Sequence, residues 1–331
     1  MYQPEHSAPE VAVVGGGTGS FTLLTELKHL TPQLSALVNM SDDGGSTGIL
    51  RDELGVLPPG DVRQCLVALS TLPDVRDLFS YRFGEGSLKG HALGNIILSG
   101  LELQQGSLDK AIKLAARMLD IVGVVIPITL DKHTLVMTDG DEQIRGETNI
   151  GHRLIIDPGA TLQTDPPTSI NPEAAAAIER ADMVVVAPGN LYGSLLPILA
   201  VGGVAEAIRQ SRAKKVMVSN LVTKPGQTDG WHVVDYVRAV ERYAGEGTID
   251  AILYNQEPIP ASLLSRYAAD GEFPVACAPE QFAKTRARAI GARLVAKAVY
   301  QPDVNDQAVV RTLIRHDAVE VGRQLMRLYC E

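Results

Sequence analysis

Val11-Ala-Val-Val14 runs directly into Gly15-Gly-Gly-Thr-Gly19, and beyond it Phe21, Leu24, Leu27 and Leu30 recur at helical spacing. A β-branched run, a glycine loop and an amphipathic helix in that order leave few folds open. The helix must return across a sheet, which makes this the opening unit of an α/β domain. The same loop has a chemical use. Glycines let backbone N–H groups approach a phosphate, and the helix N-terminus adds a favourable dipole. Gly15, Gly16, Gly17, Thr18, Gly19 and Ser20 are therefore candidate phosphate contacts. Ser20 stands where a dinucleotide fingerprint has its third glycine.

The alternation continues along the chain. Residues 34–39 predict a second strand, and 61–120 read as mostly helical, with breaks at Pro73 and across 84–90. From 124 to 156 the pattern changes to short strand candidates at 124–126, 133–138, 143–145 and 153–156, a small β-rich insertion. Strands resume at 182–187, 215–219, 249–254 and 275–276, interleaved with helices at 194–210, 231–243 and 261–269. A terminal helix is predicted over 305–328. This is the pattern of one doubly wound, mainly parallel, Rossmann-like α/β domain over 11–331, behind a flexible lead-in of residues 1–10. That lead-in has no apolar core of a signal peptide, so a cytoplasmic location is expected.

Composition narrows the function. Hydrophobic residues make up 45% and charged residues 21% of the 331 positions, too apolar for a disordered chain. No stretch of about 18 residues is free of charged or turn residues, so no membrane insertion is expected. The 30 basic and 39 acidic residues give a net charge of −9, which argues against a nucleic-acid partner. Cys65, Cys277 and Cys330 form no C-x-x-C and suggest reduced thiols, not a zinc site or disulfide framework. No Walker A loop and no G-x-S-x-G elbow are present. His29, His133, His152, His232 and His316 form no metal pair and read as structural or surface residues.

Further loops carry chemistry. Ser41-Asp42-Asp43-Gly44-Gly45-Ser46-Thr47-Gly48 follows the second strand. Asp42 or Asp43 could bind a hydrated Mg²⁺ or serve as general base, and the same letters also fit an Asx-rich turn capping the next helix. Gly44, Gly45 and Ser46 offer donors beside them. In Pro58-Pro59-Gly60-Asp61-Val62-Arg63, Asp61 suits either a helix N-cap or a site, and Arg63 could meet a phosphate. His91 and Asn95, in Lys89-Gly-His-Ala-Leu-Gly-Asn95, open an apolar helix as candidate contacts. Two later loops offer amides and hydroxyls to a sugar, base or phosphate, through Gly189, Asn190 and Ser194 and through Asn220, Thr223, Gly226, Thr228 and Asp229. Turn formation explains the same residues equally well.

Taken together, these motifs resemble the YvcK family of gluconeogenesis factors, within the CofD-like superfamily. The likeness runs in order from 11 to 328. It includes Val13-Val-Gly-Gly-Gly-Thr-Gly19, Leu57-Pro-Pro-Gly-Asp-Val-Arg63, Gly90-His-Ala-Leu-Gly-Asn95 and Arg145-Gly-Glu-Thr-Asn-Ile150. Ala187-Pro-Gly-Asn-Leu-Tyr-Gly-Ser194, Pro225-Gly-Gln-Thr-Asp-Gly230 and Arg315-His-Asp317 complete it. The resemblance implies a bacterial factor for cell shape and wall integrity during gluconeogenic growth. It would bind UDP-N-acetylglucosamine or UDP-glucose, hold no tight cofactor, and work through a cell-wall-synthesis protein, with a homodimer an open option. The relative CofD transfers a phospholactyl group from a guanosine diphosphate carrier to a deazaflavin with Mg²⁺. By that likeness Asp42, Asp43 and Asp61 are the catalytic acids of an alternative, transferase reading, and Asp42 and Asp61 the metal ligands. Tyr267, in Ser265-Arg-Tyr-Ala, and Arg315 are implied nucleotide-sugar contacts, by stacking and by forked hydrogen bonds. Ser20 replaces a residue that is often hydrophobic in the family. A simple NAD-dependent dehydrogenase is disfavoured, because a glycine loop stands where a ribose-binding acid is expected.

Overall fold

A computed structural model describes residues 8–155, 157, 159–296 and 314–331. The opening unit forms as read: β1 (Val11–Gly15) is fully buried and α1 (Gly17–Leu27) buries Leu23, Leu24 and Leu27. Next come β2 (Leu34–Val38), α2 (Gly45–Leu54), α3 (Gly60–Leu69), α4 (Pro73–Ser80), α5 (Leu93–Gln105) and α6 (Leu108–Leu119). The glycines of 84–90 separate α4 from α5, and Pro73 opens α4 instead of ending a helix, since its missing N–H is harmless in a first turn. Then follow β3 (Val124–Pro127), β4 (Thr134–Asp139), β5 (Glu142–Arg145), α7 (Glu147–Gly151), β6 (Thr161–Asp165), α8 (Pro172–Arg180) and β7 (Met183–Val186). A wide π-type turn, Leu191–Leu195, leads into α9 (Leu196–Leu199) and α10 (Val204–Gln210). The chain continues through β8 (Lys214–Val218), α11 (Val233–Ala244), β9 (Ala251–Asn255), α12 (Ala261–Ala269), β10 (Arg288–Ala292) and α13 (Ala318–Cys330).

Seven strands form the main sheet in the order β10-β9-β8-β7-β1-β2-β3, and all neighbouring pairs in it are parallel. Crossovers running one way from β1 and the other way from β7 put helices on both faces. Accordingly α1 packs with α3 and α13, while α10 packs with α8 and α11. The sheet is buried on both sides, which is why Met183-Val-Val-Val186 and Val11-Ala-Val-Val14 are continuous apolar runs. Among the described residues no helix is long and apolar enough to cross a membrane.

Four expectations need correction. Residues 124–126 belong to the main sheet, where Ser35 pairs with Val124 and Leu37 with Ile126. The small sheet is β5-β4-β6, antiparallel, and its third strand lies at 161–165 and not at 153–156. Thr161-Leu-Gln-Thr-Asp165 alternates exposed and buried positions, whereas Arg153 turns to Asp139 in an ion pair and Ile155 N–H donates to Gly226 O; Ile156 lies outside the described residues. Residues 275–276 make only an isolated bridge, His232 to Ala276. The last sheet strand is instead β10, an edge strand whose Arg288 and Gly291 weaken its apolar signature. The terminal helix starts at Ala318, because Asp317 accepts the Glu320 N–H as N-cap; 305–313 lie outside the described residues, as do 1–7 of the expected lead-in.

Candidate functional site

The sheet reverses its winding between β1 and β7, and the loops leaving their carboxyl ends diverge into a crevice. A cavity of about 330 Å³ occupies it. Gly16, Gly17, Thr18 and Gly19 form one wall, with Gly189, Asn190 and Ser194 opposite. Asn220, Arg315 and His316 close the end. The two loops touch through backbone: a Cβ on Gly19 would fall 1.7 Å from Pro188 O. Asn220 pins the next loop by accepting the Gly189 N–H at 3.3 Å and donating to Gly189 O at 2.8 Å. Asn190 Oδ1 is buried with no protein donor. His316, expected to be structural, lies in this wall beside Arg315. Its Nε2 is 2.9 Å from Ser219 O, and burial pulls its pKa down to about 4, so the neutral ring donates that bond.

Beside the glycine loop three acids gather. Asp61 Oδ1 accepts the Gly17 N–H at 2.9 Å, which ties the start of α3 to the start of α1. Burial, then the Asp42 charge, pushes the Asp61 carboxyl up to about 7. Asp42 accepts the Gly44 N–H at 3.0 Å and lies over the Cα of Gly60. Burial raises its pKa as well, with Asp43 adding to the rise and Arg51 opposing it. Glu147, missed by the sequence reading, completes the group. It lies over the Cα of Gly193 close to the Asn190 amide, and burial followed by the charges of Asp42 and Asp43 pushes it up to about 7. Asp61 and Glu147, pushed up to about 7 beside the glycine loop, can give or take a proton there.

Asp43 is not one of these acids in the sense expected. Its Oδ2 accepts the Glu147 N–H at 2.9 Å, and its Oδ1 accepts the Thr148 N–H at 2.8 Å and the Thr148 hydroxyl at 2.6 Å. Both oxygens serve the start of α7, so Asp43 positions Glu147. Asp43→Ala is expected to cost about 1–2 kcal/mol in a urea unfolding titration, as loss of a capping residue does. An unchanged midpoint would contradict that role.

A polar chain runs next to the first turn of α2. Arg63 Nε donates to Asn95 Oδ1 at 2.9 Å, Asn95 Nδ2 donates to Ser46 Oγ at 3.3 Å, and His91 Nδ1 lies 3.0 Å from that hydroxyl. Each of these was expected as a separate ligand contact; the fold joins them to one another, outside the lining of the first cavity.

Other expected contacts serve the framework. Ser20 is buried with its Oγ against Gly15, away from the cleft lining, and Gly15 is the last residue of β1. Thr223 Oγ1 accepts the Phe273 N–H, Thr228 Oγ1 accepts the Lys224 N–H, and Asp229 Oδ2 accepts the Gly226 N–H. These residues knit their own loop, as short polar side chains do in turns. Tyr267 is buried in the core, with its hydroxyl accepting the Ile314 N–H at 3.0 Å, so it supports the segment carrying Arg315 instead of offering a stacking face.

Among the described residues no three of His, Cys, Asp and Glu are set to hold a metal. Mg²⁺ commonly takes one or two carboxylates and completes its shell with phosphate and water. Asp42 and Asp61, buried acids whose charges oppose one another, fit that donor set. They do not fit an all-protein cage.

The chain matches the family of 2-phospho-L-lactate transferase CofD over residues 11–295. It is 36% identical over 335 residues to the gluconeogenesis factor of Bacillus subtilis, covering 98% of this chain and 99% of that one. The gluconeogenesis factor of Listeria monocytogenes is 35% identical over 336 residues, with 98% and 97% covered. A crystal structure of a UPF0052-family protein from Bacillus halodurans superposes with a TM-score of 0.87 at 34% identity, covering 97% of this chain and 99% of that one. A common fold and a nearly end-to-end likeness agree: this chain belongs to the gluconeogenesis-factor family, built on the CofD-like domain.

Proposed function

We propose that this protein is a UDP-sugar-binding regulatory factor, with UDP-N-acetylglucosamine or UDP-glucose as its ligand. The observation that carries the reading is the cleft at the switch point. Its glycine wall at the head of α1 suits a diphosphate, and Arg315 stands at the end of the same cavity. The buried Asn190 Oδ1 wants a donor, which a sugar hydroxyl or a base N–H supplies. Asp42 and Asp61 would hold Mg²⁺, which neutralises diphosphate charge when bound. No tightly held cofactor is part of this reading. Binding would report wall-precursor supply in the cytoplasm to a protein that acts in wall synthesis, and so affect cell shape under gluconeogenic growth. The acid group favours a second reading, a Mg²⁺-dependent CofD-like transferase acting on a nucleotide-diphosphate-linked substrate, since mere sensing has little use for three such carboxyls.

Arg315→Ala tests the cleft. Loss of charge-assisted hydrogen bonds worth about 1.5–3 kcal/mol should weaken UDP-N-acetylglucosamine binding at least tenfold by titration calorimetry. An unchanged Kd would remove Arg315 from the site.

A further inference from the structure

A second cavity, about 360 Å³, opens next to the acid group and shares no lining residue with the first cleft. Met40 just beyond β2, Arg51 and Asp52 of α2, the segment 55–58, and Lys132 and His133 ahead of β4 enclose it. In a chain of net charge −9, the lining of this cavity holds two cations and a histidine beside one acid, Asp52, with Glu102 behind Leu57 within reach of the Lys132 charge. Among the described residues Arg51 pairs through Nε, at 3.1 Å from Asp52, whose side chain is 70% exposed and so a weak, solvent-screened partner. Lys132 gives one of its three ammonium donors to Gly55 O. His133 is held between Ser41 Oγ at 2.9 Å and Asp131 O at 3.0 Å. The remaining donors of Arg51 and Lys132 have the fork and point-charge character that phosphate oxygens accept.

We propose that this cavity binds a small anion of phosphate or diphosphate chemistry. The site lies close to the acid group: His133 Nε2 is 2.9 Å from the hydroxyl of Ser41, the neighbour of Asp42, and the segment 55–58 leads straight into Gly60 and Asp61.

Titration of the full-length protein with inorganic pyrophosphate, in the absence of divalent ions, separates the two cavities. Two binding steps are expected. R51Q/K132Q should lose one, with at least a tenfold weakening, and Arg315→Ala the other. Asp52→Asn removes the single wall acid and should tighten the first of these steps about threefold, which tests the site without removing any of its donors. A single step that Arg315→Ala abolishes and R51Q/K132Q leaves intact would overturn the second site while leaving the cleft standing. A step lost in R51Q/K132Q but unmoved by Asp52→Asn would place the loss in damaged structure and overturn it too.

Discussion

Gly19→Ala is expected to destabilise the protein by about 3 kcal/mol and to abolish nucleotide-sugar binding. The added methyl would sit 1.7 Å from Pro188 O, and the obstacle is backbone, which cannot rotate aside as a side chain can. The two loops have little freedom to part. Val14 pairs with Val186 in the parallel register, and the Ala187 N–H donates to Val14 O at 3.0 Å. Relief must come by tilting the start of α1 away from β7, which widens the cleft between the glycine wall and Asn190. Urea unfolding and calorimetry read the two effects separately. Wild-type values in both would mean that the loops do not meet as described.

Asp61→Asn is expected to act in the opposite direction on stability. The folded Asp61 carboxyl is pushed up to about 7 from an ordinary 3.8. Below the ordinary value the group is protonated in both states and its contribution is fully present. As pH rises toward 7 the unfolded chain loses the proton first, so stability falls with pH until the folded group also ionises. Asparagine removes that loss. It keeps an acceptor for the Gly17 N–H, although Asn39, which hydrogen-bonds the carboxyl, offsets part of the gain. The variant should match the native protein near pH 4 and exceed it by about 1–3 kcal/mol above pH 7. It should also lose any response of stability to millimolar Mg²⁺. A variant less stable than the native protein at every pH would contradict the account of a strained, functional carboxyl.

The predictions draw on information that the sequence carries unevenly. The strand, glycine loop and helix at 11–27 were legible because all three signals are local: a buried β-branched run, a loop of small residues and a 3.6-residue period. The central strands β7 and β8 share that clarity, being apolar on both faces. β10 escaped because an edge strand needs little apolar surface, and Arg288-Ala-Ile-Gly-Ala292 shows little. β6 is legible in retrospect from its period-two burial, but it has only five residues. In the site, the glycine wall and Asp42 followed from spacing after strands, whereas Asp61 came from the resemblance, since its own neighbourhood fits a helix N-cap equally well. Glu147 followed from neither, because Asp43, 104 positions earlier, brings it in by accepting its N–H. Thr223, Thr228 and Asp229 read two ways for a chemical reason. The side chains that suit a ligand also suit a turn, and here the turn uses them.

The central claim is that the switch-point cleft takes a UDP-sugar and returns it unchanged. Titration calorimetry with UDP-N-acetylglucosamine, with and without Mg²⁺ and with GDP and NAD as controls, tests it most directly when the ligand is afterwards recovered. Micromolar binding of the UDP-sugar alone, with intact ligand recovered, is the expected result. Absence of UDP-sugar binding, or binding of a guanosine nucleotide that is cleaved when Mg²⁺ is present, would contradict it and favour the transferase.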